Sequence, residues 1–99
     1  MKTFEDPETI EVAPGERFAI TLSGNFTTGY VWRRTGGGEA LKPVGEEMRA
    51  LSDVPGAAGV QEFAFEASTP GLHVLLFAYA REWEPDALQE RAVEVTVRS

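Results

Sequence analysis

The sequence predicts an all-β domain, an antiparallel β-sandwich of about seven strands, on three observations. Apolar residues recur with a period of two through most of the chain, which places one face of each segment on a core and the other in water. Turn residues interrupt these runs at short intervals: Pro14-Gly15, Gly24-Asn25, Gly36-Gly37-Gly38, Pro55-Gly56, Pro70-Gly71 and Glu84-Pro85-Asp86. The third observation is size. A chain of 99 residues, 42% hydrophobic and 25% charged, makes a single soluble globular domain over 1–99 with one core. It contains no internal repeat, linker or low-complexity tail.

Taken in order, Ile10 and Val12 alternate with Thr9 and Glu11 and predict the first strand. Beyond Pro14-Gly15, Phe18, Ile20 and Leu22 alternate with Arg17, Ala19, Thr21 and Ser23. Tyr30-Val31-Trp32 is short and aromatic and reads as a strand. Over 44–51 the pattern divides: Val44, Met48 and Leu51 have helical spacing, and one helical turn or a ragged edge strand fits equally. Phe63, Phe65 and Ala67 alternate with Glu62 and Glu66. Residues 72–79 are apolar on both faces, with Leu72, Val74, Leu76 and Ala78 on one and His73, Leu75, Phe77 and Tyr79 on the other. Such a segment is expected to run centrally in a sheet, covered at least in part on both sides. Val93, Val95 and Val97, alternating with Glu94, Thr96 and Arg98, predict the last strand.

Composition removes several classes of function. Nine Lys and Arg against 16 Asp and Glu leave a net charge of −7, which argues against nucleic acid and anionic membranes as partners. Without cysteine there is no disulfide framework, thiolate metal site or cysteine nucleophile, and the single histidine, His73, cannot build a multi-histidine metal centre. No metal or cofactor is expected. No apolar run reaches the length of a membrane span, and the acidic residues Glu5, Asp6, Glu8 and Glu11 do not belong to a secretory signal. The expected location is the cytosol, or outside it in a mature form whose signal has been removed. The chain is expected to be a monomer. An enzyme is not expected: His73 lies in a predicted strand as a packed histidine, and Glu46-Glu47 and the Glu82/Glu84 pair read as solvated surface charge.

Three connections carry more chemistry than a turn needs. In Gly24-Asn25-Phe26-Thr27-Thr28-Gly29-Tyr30, Asn25 and Gly29 tolerate left-handed backbone angles and two threonines stiffen the tip. The small residues of Ser52-Asp53-Val54-Pro55-Gly56-Ala57-Ala58-Gly59 admit close approach by another backbone. In Ala80-Arg81-Glu82-Trp83-Glu84-Pro85, a tryptophan among charges reads as an exposed anchor, since Trp and Arg are enriched at binding hot spots. The alternatives are an ordinary Asx turn, a flexible connection and a tryptophan folded back over the core. If the strands alternate between sheets in the immunoglobulin manner, all three connections reach one end of the sandwich. Asn25-Phe26-Thr27 also fits the N-glycosylation pattern and is expected to be unused.

These residues resemble the chagasin family, inhibitors of papain-like cysteine proteases with an immunoglobulin-like fold. The family's N-P-T-T-G-Y loop is matched by Asn25-Phe26-Thr27-Thr28-Gly29-Tyr30. Its G-x-G-G loop is matched by Gly56-Ala57-Ala58-Gly59 ahead of Phe63 and Phe65. Its R-P-W loop, after a strand ending in Tyr, is matched by Tyr79 and Arg81-Glu82-Trp83. Order and spacing agree from Thr9 to Val97. The resemblance implies a reversible, competitive inhibitor whose loops form a wedge in the protease active-site cleft. The Thr27–Gly29 tip would cover the catalytic cysteine–histidine pair, the glycine loop would follow the non-primed groove, and Trp83 would pack on the far wall. Val54 and Pro55 would offer an apolar group to the main specificity pocket.

Three departures stand out. Phe26 replaces a proline, losing a fixed φ and, on the sequence alone, adding apolar surface at the tip. Ala58 replaces a glycine, which is strained if the position needs positive φ. Glu82 replaces the proline of R-P-W and adds negative charge beside Glu84 and Asp86, loosening the loop. The competing reading is a non-inhibitory immunoglobulin-like module that binds a protein or carbohydrate through the same loops.

Overall fold

The computed structural model describes residues 1–26, 29–50 and 58–99; the expectations for Thr27, Thr28, Leu51, Val54, Pro55, Gly56 and Ala57 lie outside the described residues. Eight strands run through the described residues: β1 (Lys2–Glu5), β2 (Thr9–Val12), β3 (Arg17–Gly24), β4 (Tyr30–Gly37), β5 (Leu41–Ala50), β6 (Gly59–Ala67), β7 (Gly71–Arg81) and β8 (Gln89–Val97). They form two four-stranded sheets, in the orders β1-β3-β6-β5 and β2-β8-β7-β4.

Alternating apolar residues meet between the sheets. Phe18, Ile20 and Leu22 of β3 with Phe63, Phe65 and Ala67 of β6 face Leu75 and Phe77 of β7 and Val93, Val95 and Val97 of β8. The Phe63 and Phe77 rings close the gap at 5.0 Å between centroids. Burying side chains of this kind contributes roughly 1.5–3 kcal/mol each, which is what selects this register over a slip by one residue.

Four features differ from the sequence expectations or refine them. The extra strand is β1, whose sequence Lys2-Thr3-Phe4-Glu5 holds a single large apolar residue and therefore no alternation to detect. It pairs parallel with β3, and β2 pairs parallel with β8, so the sandwich is mixed rather than wholly antiparallel. The chain passes from β1 in one sheet to β2 in the other at Asp6, which has φ of 43°. Asp tolerates this left-handed conformation better than most residues.

The segment with helical spacing is edge strand β5. A register shift between Pro43 and Gly45 puts an extra residue opposite β6. The bulge breaks the period of two, so that the helical spacing of Val44 and Met48, both exposed, reflects no helix, while Pro43, with no amide hydrogen to donate, is tolerated at a sheet edge.

Strand β7 is central, between β8 and β4 as its sequence predicts, but it is covered on one face only. Leu72, Val74 and Leu76 are 62%, 36% and 43% exposed, because a two-layer sandwich has nothing to lay over the outer side of this sheet. His73 is half-buried and donates from Nε2 to the Thr69 carbonyl at 2.7 Å.

Gln61 joins the sheets through a polar contact. From β6 its side chain accepts from the Trp32 amide of β4 at 2.6 Å and donates to the Trp32 carbonyl at 2.9 Å. This satisfies the outward backbone groups of an edge strand where they turn into the protein.

Candidate functional site

Strand register brings the roots of the three predicted connections together. Gly24, which ends β3, pairs with Gly59, which begins β6, and Ala50 at the end of β5 pairs with the same glycine. In the second sheet Tyr30, which opens β4, pairs with Arg81, which ends β7, while Tyr79 pairs with Gln89 at the start of β8. All three connections therefore leave the same end of the sandwich.

The first connection is stapled from below by Tyr79. Its hydroxyl donates to the Asn25 carbonyl at 2.8 Å and accepts from the Asn25 amide at 3.1 Å. Its ring lies 5.3 Å from Tyr30, 5.0 Å from Trp32 and 6.5 Å from Phe26, centroid to centroid. Trp32 donates from its indole to the Ser23 carbonyl at 3.0 Å, fixing the strand end just before the connection. Phe26 turns inward onto this aromatic cluster and the core, so the ring does not add apolar surface at the tip as its sequence position suggests. The Gly29 amide then donates to the Phe26 carbonyl at 3.3 Å. Gly29 has φ of 89°, a left-handed conformation that favours glycine.

The third connection is a closed turn. The Glu84 amide donates to the Arg81 carbonyl at 3.2 Å, and the Arg81 guanidinium donates to the Glu84 carboxylate at 2.9 Å. That hydrogen bond raises the pKa of Arg81 above its ordinary value. The same guanidinium lies 4.5 Å from the Tyr30 ring centroid and 6.0 Å from that of Trp83. Glu82 is exposed, and the Arg81–Glu84 clasp restrains the loop that loss of a proline would free. Trp83 is 71% exposed and does not cap the core. It does rest on the first connection: a Cβ built on Gly29 would stand 2.8 Å from Trp83 Cη2.

Of the second connection, Ala58 and Gly59 are described. Ala58 is exposed and is not among the described residues with positive φ, so the feared alanine strain does not arise. Gly59 is buried where a Cβ would meet the Arg49 carbonyl at 2.8 Å and the Phe26 ring at 3.2 Å.

The described part of the edge thus joins Asn25, Phe26, Gly29, Tyr30, Ala58, Gly59, Arg81, Glu82 and Trp83. Tyr79, Gln61 and Glu84 support it, and sequence reasoning did not assign them these roles. Tyr79 had a signal, a polar-tipped aromatic ending an apolar strand; Gln61 and Glu84 had none, because their contacts, with the Trp32 backbone and the Arg81 guanidinium, form only in the folded chain. Among the described residues no group of three or more His, Asp or Glu is placed to hold a metal ion. His73 lies near the start of β7, at the other end of that strand from Arg81. An exposed aromatic beside glycine backbone and a guanidinium is suited to a protein groove, where flat rings and backbone contacts supply the interface.

The family model of the Chagasin family peptidase inhibitors, I42, matches residues 11–97. A search of curated proteins finds no match. Among solved structures, the fold is similar to the cysteine protease inhibitor EhICP2 from Entamoeba histolytica, with a TM-score of 0.80 and 19% identity over 98% of this chain and 95% of that one. It is similar to Amebosin, with a TM-score of 0.75 and 27% identity over 98% and 97% of the two chains. It also resembles PbICP-C, solved in complex with falcipain-2, with a TM-score of 0.72 and 19% identity over 99% and 100%.

Proposed function

We infer the function from a premise that the family match establishes: the chain belongs to the chagasin family of peptidase inhibitors. Its action is the reversible, competitive inhibition of papain-like cysteine proteases, by a wedge of three connections entering the active-site cleft. The observation that carries this reading is the contact of Trp83 with Gly29, which ties the exposed aromatic anchor to the threonine-bearing connection.

The chemistry is occlusion. The tip at Thr27 and Thr28 covers the catalytic cysteine and histidine, while the second connection, Val54 to Gly59, lies along the substrate groove by backbone contact. Trp83 and Arg81 pack on the opposite wall. No bond needs to be made or broken, and the protease partner is the enzyme in its resting state. A rigid edge favours this mode because ordering a loose one on docking costs about 0.5–1.5 kcal/mol per side chain immobilised.

Titration of papain with the protein tests the reading. Stoichiometric loss of activity, relieved by raising the substrate concentration, is expected. Thr28→Ala and Trp83→Ala should each raise the inhibition constant, the tryptophan variant by about 30-fold or more. Undiminished papain and cathepsin L-like activity at micromolar protein would return the chain to a non-inhibitory binding module.

A further inference from the structure

Phe26 is the main departure from the family's loop, and its ring has a place prepared for it. Gly24 and Gly59 pair across β3 and β6, and the ring lies over both. A Cβ on Gly24 would stand 2.8 Å from Phe26 Cε1 and 3.2 Å from Cζ; one on Gly59 would stand 3.2 Å from Cδ2 and Cε2. Neither glycine is among those with positive φ. Their backbone therefore does not require glycine, whereas the ring does. At Gly59 the Arg49 carbonyl, 2.8 Å from the same Cβ, adds a second reason. At Gly24 the third of the three nearest atoms is Tyr79 Cε1, at 3.1 Å.

We propose that Phe26 is a positioning residue of the inhibitory edge, its ring locked in the Gly24–Gly59 notch so that the first connection is held to the root of the second. This deepens the inhibitor reading and rests on it. The lock replaces backbone restriction, such as a proline would supply at this position, with packing. It acts at the start of the Phe26–Gly29 turn, whose other end lies beneath Trp83. The first connection is then gripped from both sides, by Phe26 toward the second connection and by Trp83 toward the third.

Gly24→Ala is the discriminating variant, since the nearest atoms to its added methyl group belong to the Phe26 and Tyr79 rings and none of them is backbone. Papain inhibition is measured for the full chain, for Gly24→Ala, for Phe26→Ala and for the double variant. Amide hydrogen exchange of Asn25, Gly29 and Val95 is measured in the unbound proteins. Each single variant should weaken inhibition about tenfold and speed exchange at Gly29, with Val95 in the core unchanged. The double variant should be no worse than Phe26→Ala, because the 2.8 Å clash with the Phe26 ring is gone and the Tyr79 ring, 3.1 Å from the methyl group, needs to give by only a few tenths of an ångström. Phe26→Leu should recover part of the loss.

Unaltered inhibition by Phe26→Ala, or additive losses in the double variant, would overturn the proposal. So would weakened inhibition with unchanged Gly29 exchange, which would mean that the ring touches the protease directly. A wild-type chain that fails to inhibit would instead overturn the inhibitor reading, and the exchange data would still decide whether the ring fixes the edge.

Discussion

Tyr79 concentrates the local logic of the edge in one side chain. Its hydroxyl serves both backbone groups of Asn25, at 2.8 and 3.1 Å, while its ring packs on Tyr30 and Trp32. Tyr79→Phe keeps the ring and removes the staple. Chemical denaturation should show a loss of about 1 kcal/mol, and papain inhibition should weaken in parallel. Trp83→Ala should behave differently. At 71% exposure the side chain contributes little to folding, so its melting temperature should stay close to wild type while inhibition falls. A large drop in melting temperature would place Trp83 in the fold rather than in the interface.

Asp6 makes a pH prediction at the same scale. Burial pushes its carboxyl up, but hydrogen bonds from the Ser23 hydroxyl and amide, with the Arg91 guanidinium, outweigh it and hold the pKa below the ordinary carboxylate value. The unfolded chain thus binds the proton more readily than the folded one. Asp6 stabilises the fold above its ordinary pKa of about 4, and that contribution is lost as the pH falls below it. The melting temperature of Asp6→Asn should therefore vary less than that of wild type between about pH 5 and about pH 3. An identical pH profile would show that the Ser23 and Arg91 contacts are energetically silent.

At the scale of elements, the contact between β6 and β4 is the most exposed to test. Gln61 is 3% exposed, and its amide meets both backbone groups of Trp32. Gln61→Ala leaves a buried N–H and a buried carbonyl without partners, and urea denaturation should show a loss of about 2–3 kcal/mol. A loss below about 0.5 kcal/mol would mean that water replaces the amide without cost. Legibility also varied by element. Strands β2, β3, β6 and β8 were plain in the sequence because their large apolar residues alternate, even though the fold also buries the small residues Ala19, Thr21 and Ala64 between them. Strand β5 was ambiguous because the bulge at Pro43 and Gly45 disturbs the very period that identifies a strand. Strand β1 left no trace, since it pairs its backbone with β3 and sends a single apolar side chain, Phe4, to the core, which makes no alternation. The apolar outer residues of β7 suggested a second cover that a two-layer fold does not provide.

Across the whole molecule, two sheets of four strands carry three connections to one end. That arrangement was readable, because an alternation of strands and turns brings every second connection to the same pole. What the sequence did not reveal is how the connections are held to one another. The rings of Phe26, Tyr79 and Trp83 cross between segments that lie far apart in the chain, and no local pattern encodes a ring resting on a distant glycine. The account therefore stands on an edge that binds as one piece in an active-site cleft. Calorimetric titration of papain compares the free enzyme with enzyme whose catalytic cysteine carries a covalent peptidyl blocker filling the groove. The account predicts tight one-to-one binding to the free enzyme and its loss with the blocked one; equal binding to both would contradict it.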